Sequence, residues 1–258
     1  MTETQPAASR PTALDEAVSI CTAATDHGIT VRMAGGLAVQ YLTPDFPPRG
    51  GDRQDVDLAI QSGDRRPLTQ FLTERGYIGD KTFNALYGHK QLYFQSTQTE
   101  RSLDVLVDRL HMCHTVEFKG RLGRMPVTLD LADLLLTKLQ IVELNEKDAQ
   151  DVLYLLSAYP IRDGDEPGTI GLDRIAAIVG NDWGWWRTLT LNLENIIALA
   201  DGAGSALVPE GGKHDAVQQL RALNEAVDAT PKSLRWKARA KVGERVRWYE
   251  MPEETPHH

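Results

Sequence analysis

The segment Asp55–Ile60 (DVDLAI) carries two acidic residues at a spacing that could do chemistry. On a β-strand, side chains alternate between the two faces, so Asp55 and Asp57 point to one side and the apolar residues to the other. Two carboxylates on one face repel each other unless a cation or a shared proton relieves the repulsion. Mg²⁺ prefers oxygen ligands and accepts few of them from the protein, so the spacing favours a Mg²⁺ site, with Mn²⁺ as an alternative ion.

A third acid occurs in a similar context further along the chain. Asp104 lies opposite the apolar face that Leu103, Val105 and Val107 would form on a strand. If this strand neighbours the first, the three carboxylates could hold two metal ions that activate an attacking hydroxyl and stabilise a leaving pyrophosphate. The alternative is that these aspartates form only the solvated faces of amphipathic strands, because D-x-D is a short and common motif.

The glycine pair Gly35-Gly36 favours the first interpretation. It follows the strand-like segment ITVRMA and precedes the helix-like segment GLAVQYL. Glycines at a strand-to-helix turn let backbone N–H groups approach a phosphate, and the N-terminus of the new helix favours the negative charge. A Gly-Gly turn alone is often only a turn, but here it precedes two carboxylate-bearing strands.

The order Gly35-Gly36, then Asp55-x-Asp57, then Asp104 resembles the DNA polymerase β-like nucleotidyltransferase superfamily. That resemblance covers about Val31 to Leu156. It implies transfer of a nucleoside monophosphate from a nucleoside triphosphate such as ATP, with a metal site of Asp55, Asp57 and Asp104 and a phosphate site at the glycines. The chain departs from the family pattern in a long Pro/Gly-rich insertion before Asp55, and in having Gly36 where serine is often found.

A second part of the resemblance lies in the helical run Asp133–Lys138 followed by Lys147–Asp151. It looks like the branch that includes AbiEii-type toxins, in which a lysine and a downstream aspartate contribute to the active site. This implies catalytic roles for Lys138 and Asp148, with Lys138 also contacting the nucleotide. From the residues alone, Lys138 could equally extend its ammonium group to the surface. Asp148 could equally favour the start of a helix capped by Asn145.

These residues need a scaffold, and the pattern of apolar residues predicts one. Helical spacing is found in Ala13–His27 and in RPLTQFLTERG, and strand patterns in DVDLAI, KQLYFQS and RSLDVLVDRL; VEFKGRLGRMPVTL is predicted to be a short hairpin. From Asp130 onward, helical patterns dominate, including Leu172–Val179, Trp185–Leu199 and Asp215–Val227. We therefore predict an α/β (α+β) fold, with a small mixed-sheet core and a mostly helical C-terminal domain.

The predicted organisation is a disordered N-terminus (1–12), a catalytic domain (13–129), a helical domain (130–250) and a disordered tail (251–258). No apolar stretch is long enough to span a membrane, and no secretory signal precedes the first helix. Only Cys21 and Cys113 are present, far apart in the sequence. Together these observations favour a reduced, cytoplasmic setting.

The acceptor is less well defined by the sequence. A net charge of −8 argues against indiscriminate nucleic-acid binding, but a basic segment with interleaved tryptophans lies near the C-terminus, in KSLRWKARAKVGERVRW. Such a run either is simply solvated or binds RNA by charge and stacking. The candidate acceptors are therefore tRNA, in a toxin-like enzyme with an antitoxin partner, or a small hydroxylated molecule. A non-catalytic nucleotide-binding module with the same fold is the alternative from a different functional class.

Overall fold

The computed structural model describes residues 11–48, 54–202 and 205–252. The predicted disordered ends lie outside these ranges, apart from residues 11, 12, 251 and 252. The loop predicted before Asp55 lies partly outside them as well. Thr12, the second described residue, caps the first helix through a hydrogen bond to the backbone N–H of Asp15.

The N-terminal half alternates helices and strands, as the sequence predicts. Its elements in chain order are α1 (Ala13–Asp26), β1 (Arg32–Met33), α2 (Gly35–Leu42), β2 (Val56–Ile60), α3 (Arg65–Glu74), β3 (Tyr77–Gly79), α4 (Lys81–Tyr87), β4 (Gln91–Ser96), β5 (Ser102–Val107), β6 (Arg109–His111) and β7 (Thr115–Glu117). The sequence did not predict β3 and α4, because both are short and lack a clear apolar period.

Five of these strands form one sheet, in the order β1-β2-β5-β4-β3. The β2 and β5 strands are parallel, whereas the other three neighbouring pairs are antiparallel. In β5, buried and half-buried residues alternate as a strand with one covered face requires. The mixed sheet, with helices packed against it, confirms the predicted α/β (α+β) fold class.

The C-terminal half is mostly helical. Its elements are α5 (Leu131–Leu139), α6 (Glu146–Ala158), β8 (Ile161–Arg162), β9 (Ile170–Gly171), α7 (Leu172–Val179), α8 (Trp183–Asp201), α9 (Ala216–Ala229) and α10 (Leu234–Ala240). The predicted helix Leu172–Val179 is confirmed to the residue. The long helical run after Asp130 is divided in two, because Asn145 caps a new helix by accepting a hydrogen bond from the N–H of Asp148.

One local prediction is wrong. The segment 116–129 does not form its own hairpin, because β7 pairs with β6 and the following residues form turns with a single bridge between Thr128 and Met33. Side chains rather than strand pairing hold this segment in place. Arg121 forms ion pairs with Asp133 at the start of α5 and, at 2.7 Å, with Asp165. Arg174 of α7 approaches the other oxygen of Asp133 to 2.7 Å.

The two halves share one hydrophobic core. Leu37 and Val39 of α2 belong to the same buried cluster as Leu135 of α5 and Leu156 of α6. This packing sets α5 and α6 against the part of the sheet that carries the carboxylates. Among the described residues, no helix has the length and apolar character needed to cross a membrane.

Candidate active site

A cleft of about 740 Å³ lies between one face of the sheet and helices α5 and α6. The residues singled out from the sequence that line it are Gly35, Asp57, Asp104, Lys138 and Asp148. They come from α2, β2, β5, α5 and α6. The fold therefore brings together residues that are spread over more than a hundred positions of the sequence.

The floor of the cleft carries Asp57 and Asp104 side by side. Their Cα atoms are directly paired in the parallel ladder between β2 and β5. Neighbouring strands in a sheet lie about 4.8 Å apart, so the two carboxylates lie within reach of one shared ion. Both residues are half-buried, whereas Val56 and Leu58 on the opposite face of β2 are fully buried. The predicted neighbourhood of these two strands is confirmed.

Gly35 is required where it stands, because α2 begins directly against Asp57. Its φ is +62°, a conformation that favours glycine, and a Cβ atom there would lie 2.0 Å from Oδ2 of Asp57. Ala34, which precedes the helix, makes no side-chain hydrogen bond that caps it. A helix N-terminus of this kind can bind an anion beside the carboxylate pair.

Gln91, which lies on β4 beside β5, was not among the site residues predicted from the sequence. Its Nε2 atom donates a hydrogen bond of 2.6 Å to Oδ1 of Asp104, and both residues line the cleft. A bond of this kind fixes the rotamer of the carboxylate. Only the register of the antiparallel β4–β5 pair brings the two side chains together, and that register cannot be deduced from the sequence of either strand.

Lys138 is buried on the cleft wall, so the interpretation that its ammonium reaches the surface is wrong. Its Nζ atom lies 2.9 Å from Oδ1 of Asp148 and 2.9 Å from Oδ2 of Asp151. Burial by itself lowers the pKa of Lys138, but the two carboxylates outweigh burial and raise that pKa above its ordinary value. The lysine is therefore charged at neutral pH. Asp148 has both predicted positions, in the first turn of a capped helix and in the cleft.

Asp55 and Gly36 lie further from this centre. Asp55 is exposed in the residue before β2 and Gly36 is half-buried in α2; neither is among the residues that line the cleft. Within residues 11–48, 54–202 and 205–252, no three His, Cys, Asp or Glu side chains are grouped closely enough to hold a metal ion. The roles predicted for Asp55 as a third metal ligand and for Gly36 as a phosphate contact therefore stay predictions.

At the end of β5, Asp108 is held in an unusual backbone conformation. Its φ is +65°, which is rare for a residue other than glycine. Its Oδ1 atom accepts a hydrogen bond of 2.8 Å from the N–H of Ser62, and the residue lines the cleft. Strained residues of this kind are found preferentially at functional sites. Here the strain turns the chain from β5 into β6, so that His111 and its neighbours form the rim.

Several solved structures show a distant likeness to this chain, and two of them are described here. An antigenic nucleotidyltransferase-like protein from Paracoccidioides brasiliensis is 16% identical, with a TM-score of 0.43 over 86% of this chain and 94% of that chain. The STING-associated CdnE c-di-GMP synthase from Capnocytophaga granulosa is 13% identical, with a TM-score of 0.26 over 89% of this chain and 85% of that chain. No family model matches the chain, and no curated protein does.

Proposed function

We propose that the protein is a metal-dependent nucleotidyltransferase, which transfers a nucleoside monophosphate from a nucleoside triphosphate to a hydroxyl group of an acceptor. The observation that carries this proposal is the pairing of Asp57 with Asp104 on parallel neighbouring strands, beside the N-terminus of α2. An acidic pair next to an anion-binding helix end suits a substrate that is a metal–triphosphate complex. The acceptor in this proposal is tRNA or a small hydroxylated molecule.

The donor set fits Mg²⁺, and Mn²⁺ by the same chemistry. Mg²⁺ is usually bound by one or two carboxylates, with substrate phosphates and water completing its octahedron. Asp57 and Asp104 supply such a pair, and Asp55 is the proposed third ligand for a second ion. When bound, these ions would neutralise charge on the triphosphate and make the acceptor hydroxyl more acidic.

The remaining residues bind and orient the substrate. The N–H groups of Gly35 and Gly36 are proposed to donate hydrogen bonds to phosphate oxygens, since α2 has no side-chain cap that would compete. Lys138 is proposed to bind the same phosphates, because its ammonium group is charged at neutral pH and is buried at the cleft wall. Asp148 orients that ammonium group through the 2.9 Å ion pair. Gln91 orients Asp104.

The proposal is tested with each of the four nucleoside triphosphates labelled at the α-phosphate, with Mg²⁺ and either total tRNA or a panel of small hydroxylated compounds. The native protein is compared with Asp57→Asn and with Asp173→Asn, a matched control at an exposed position outside the cleft. We expect transfer of label by the native protein and the control only. Equal transfer by Asp57→Asn would contradict the proposal, and nucleotide binding without any transfer would instead support a non-catalytic module.

A further inference from the structure

The positive charge of the chain is concentrated in one segment, which we call the basic surface and define as Lys232–Arg247. It contains seven basic residues and one acid, a formal charge of +6, although the whole chain carries −8. The rest of the chain therefore carries −14. Such an asymmetric charge distribution disfavours binding of a polyanion to the rest of the molecule and favours binding to this segment.

The basic surface presents its charges to solvent. Its helix α10 has no buried residue, and Leu234 at its start is 85% exposed. Among the exposed cations without an acidic partner within 4.0 Å in the part of the chain that the structure describes are Arg235, Lys237, Lys241 and Arg245. The one acid, Glu244, is paired at 2.5 Å with Arg187 of α8, so it does not neutralise these four residues.

Other side chains fix the basic surface to the body of the protein. Lys232 lies 5.9 Å from the centre of the Trp186 ring, and Arg239 lies 4.7 Å from the centre of the Trp183 ring. Arg239 also donates hydrogen bonds to the carbonyl oxygens of Gly243 and Val246, at 2.7 and 2.8 Å. The tryptophans pack against one another, so what the surface presents to a partner is mainly its exposed charged side chains.

The basic surface ends beside the cleft. The N–H of Glu250 donates to the carbonyl oxygen of Cys113, and Oε2 of Glu250 lies 3.0 Å from Nε2 of His111, a residue that lines the cleft. Arg247 precedes Glu250 by three residues, which span at most about 11 Å even when fully extended. A chain molecule bound along the basic surface can therefore reach the cleft rim.

We propose that the basic surface binds the phosphate backbone of an RNA and directs the end of that RNA to the cleft. That the RNA end reacts in the cleft rests on the proposed nucleotidyl transfer, whereas the binding of RNA to the basic surface does not. RNA is the partner that these observations favour, because it carries a negative charge at every nucleotide. The unpaired cations can bind these phosphates whatever the base sequence of the RNA. The acidic body then limits binding to this one route.

The test compares the native protein with two quadruple variants that change net charge equally. The first replaces Arg235, Lys237, Lys241 and Arg245 by Gln. The matched control replaces the exposed residues Arg66, Lys81, Lys119 and Lys213 by Gln. Binding of fluorescent total tRNA is measured by anisotropy between 50 and 200 mM salt, with polyglutamate of similar length as a second probe. Each variant is first checked for a native circular dichroism spectrum.

We expect the basic-surface variant to bind tRNA about 10- to 100-fold more weakly at 50 mM salt, with its salt slope reduced by about 3, while the control keeps native affinity. Equal weakening in both quadruple variants, absence of tRNA binding by the native protein, or equally tight binding of polyglutamate would each overturn the proposal. Asp57→Asn should bind tRNA as the native protein does. Loss of transfer in Asp57→Asn with intact tRNA binding thus separates the fate of the proposed function from that of this inference.

Discussion

Acidic side chains have opposite surroundings near the two ends of α5. At its N-terminus, Asp133 is buried to 1% exposure between Arg121 and Arg174, so each of its oxygens has a cationic partner. Near its C-terminus, α5 faces the cleft in which Asp57 and Asp104 stand together, half-buried, on neighbouring strands. The first arrangement holds a loop in place. The second gathers negative charge beside open space, as a site for a metal–nucleotide complex requires.

Substitutions in the cleft are expected to have the largest effect on nucleotidyl transfer. Asp57→Asn should lower the rate of nucleotidyl transfer by about 1000-fold or more, because it removes half of the acidic pair that we propose binds the metal ions. The unfolding midpoint should stay unchanged or rise, since repulsion between Asp57 and Asp104 is relieved. Single-turnover transfer and thermal unfolding, measured on the same preparation, check both parts. A destabilised Asp57→Asn would mean that this carboxylate is structural.

The reverse pattern is expected at the other end of α5. Asp133→Asn should lower the free energy of unfolding by about 3 kcal/mol, because Arg121 and Arg174 lose the charge that compensates their burial. Urea denaturation measures the loss, and transfer per folded molecule should stay within about twofold of native. A variant of native stability but without activity would break the distinction between the two regions.

A third way to accommodate a buried titratable group is to give up its charge, and His114 does so. Its Nε2 atom forms a 2.8 Å hydrogen bond with the hydroxyl of Thr188, and its ring stacks on Trp185. Burial lowers the pKa of His114 to about 4. The charges of Asp182 and Glu250 oppose this lowering, and His111 adds to it. The unfolded chain binds this proton near pH 6.5. Stability is therefore full above that pH and is lost as the pH falls toward 4.

For this histidine we expect a loss of about 3 kcal/mol between pH 7 and pH 4. His114→Gln should remove that part of the pH dependence, whereas the exposed control His27→Gln should keep it. Denaturant titrations at several pH values measure the difference. If His114→Gln kept the full slope, the acid sensitivity would have to come from another group.

The smallest effect is predicted for Gln91, which orients a cleft carboxylate without contacting the substrate. Gln91→Leu should lower kcat about tenfold and raise the Mg²⁺ concentration needed for half-maximal transfer, because Asp104 loses its 2.6 Å hydrogen bond. The conservative variant Gln91→Asn, whose amide is one methylene shorter, should recover part of the loss. An unchanged Mg²⁺ dependence in Gln91→Leu would limit Gln91 to a role in packing.

Much of this site follows from local sequence. Alternation along DVDLAI and LDVLV predicts the face on which Asp57 and Asp104 lie, and Gly35 reveals a turn that only glycine can form so close to Asp57. Asn145 likewise indicates the start of α6 through its capping bond. In each case the signal comes from residues within a few positions of one another.

Long-range pairing could not be predicted in the same way. The bond between Gln91 and Asp104 depends on strand register, and the burial of Lys138 depends on the packing of α6 against α5. The hairpin expected within 116–129 failed because arginine–aspartate pairs, which leave no periodic trace in the sequence, hold the segment instead. Asp55 lies one residue before β2 and is exposed, so the alternation along the strand does not by itself place Asp55 in the cleft.

The most direct test of the contrast between the two regions is Mn²⁺ binding, followed by electron paramagnetic resonance in the presence of a non-hydrolysable nucleoside triphosphate. Native protein, Asp57→Asn, Asp104→Asn and Asp133→Asn are compared under conditions in which all four are folded. We expect the nucleotide-dependent Mn²⁺ affinity to fall at least about tenfold in both cleft variants and to be retained in Asp133→Asn. Equal Mn²⁺ affinity in all four proteins would contradict the assignment of the Asp57–Asp104 pair as the metal site.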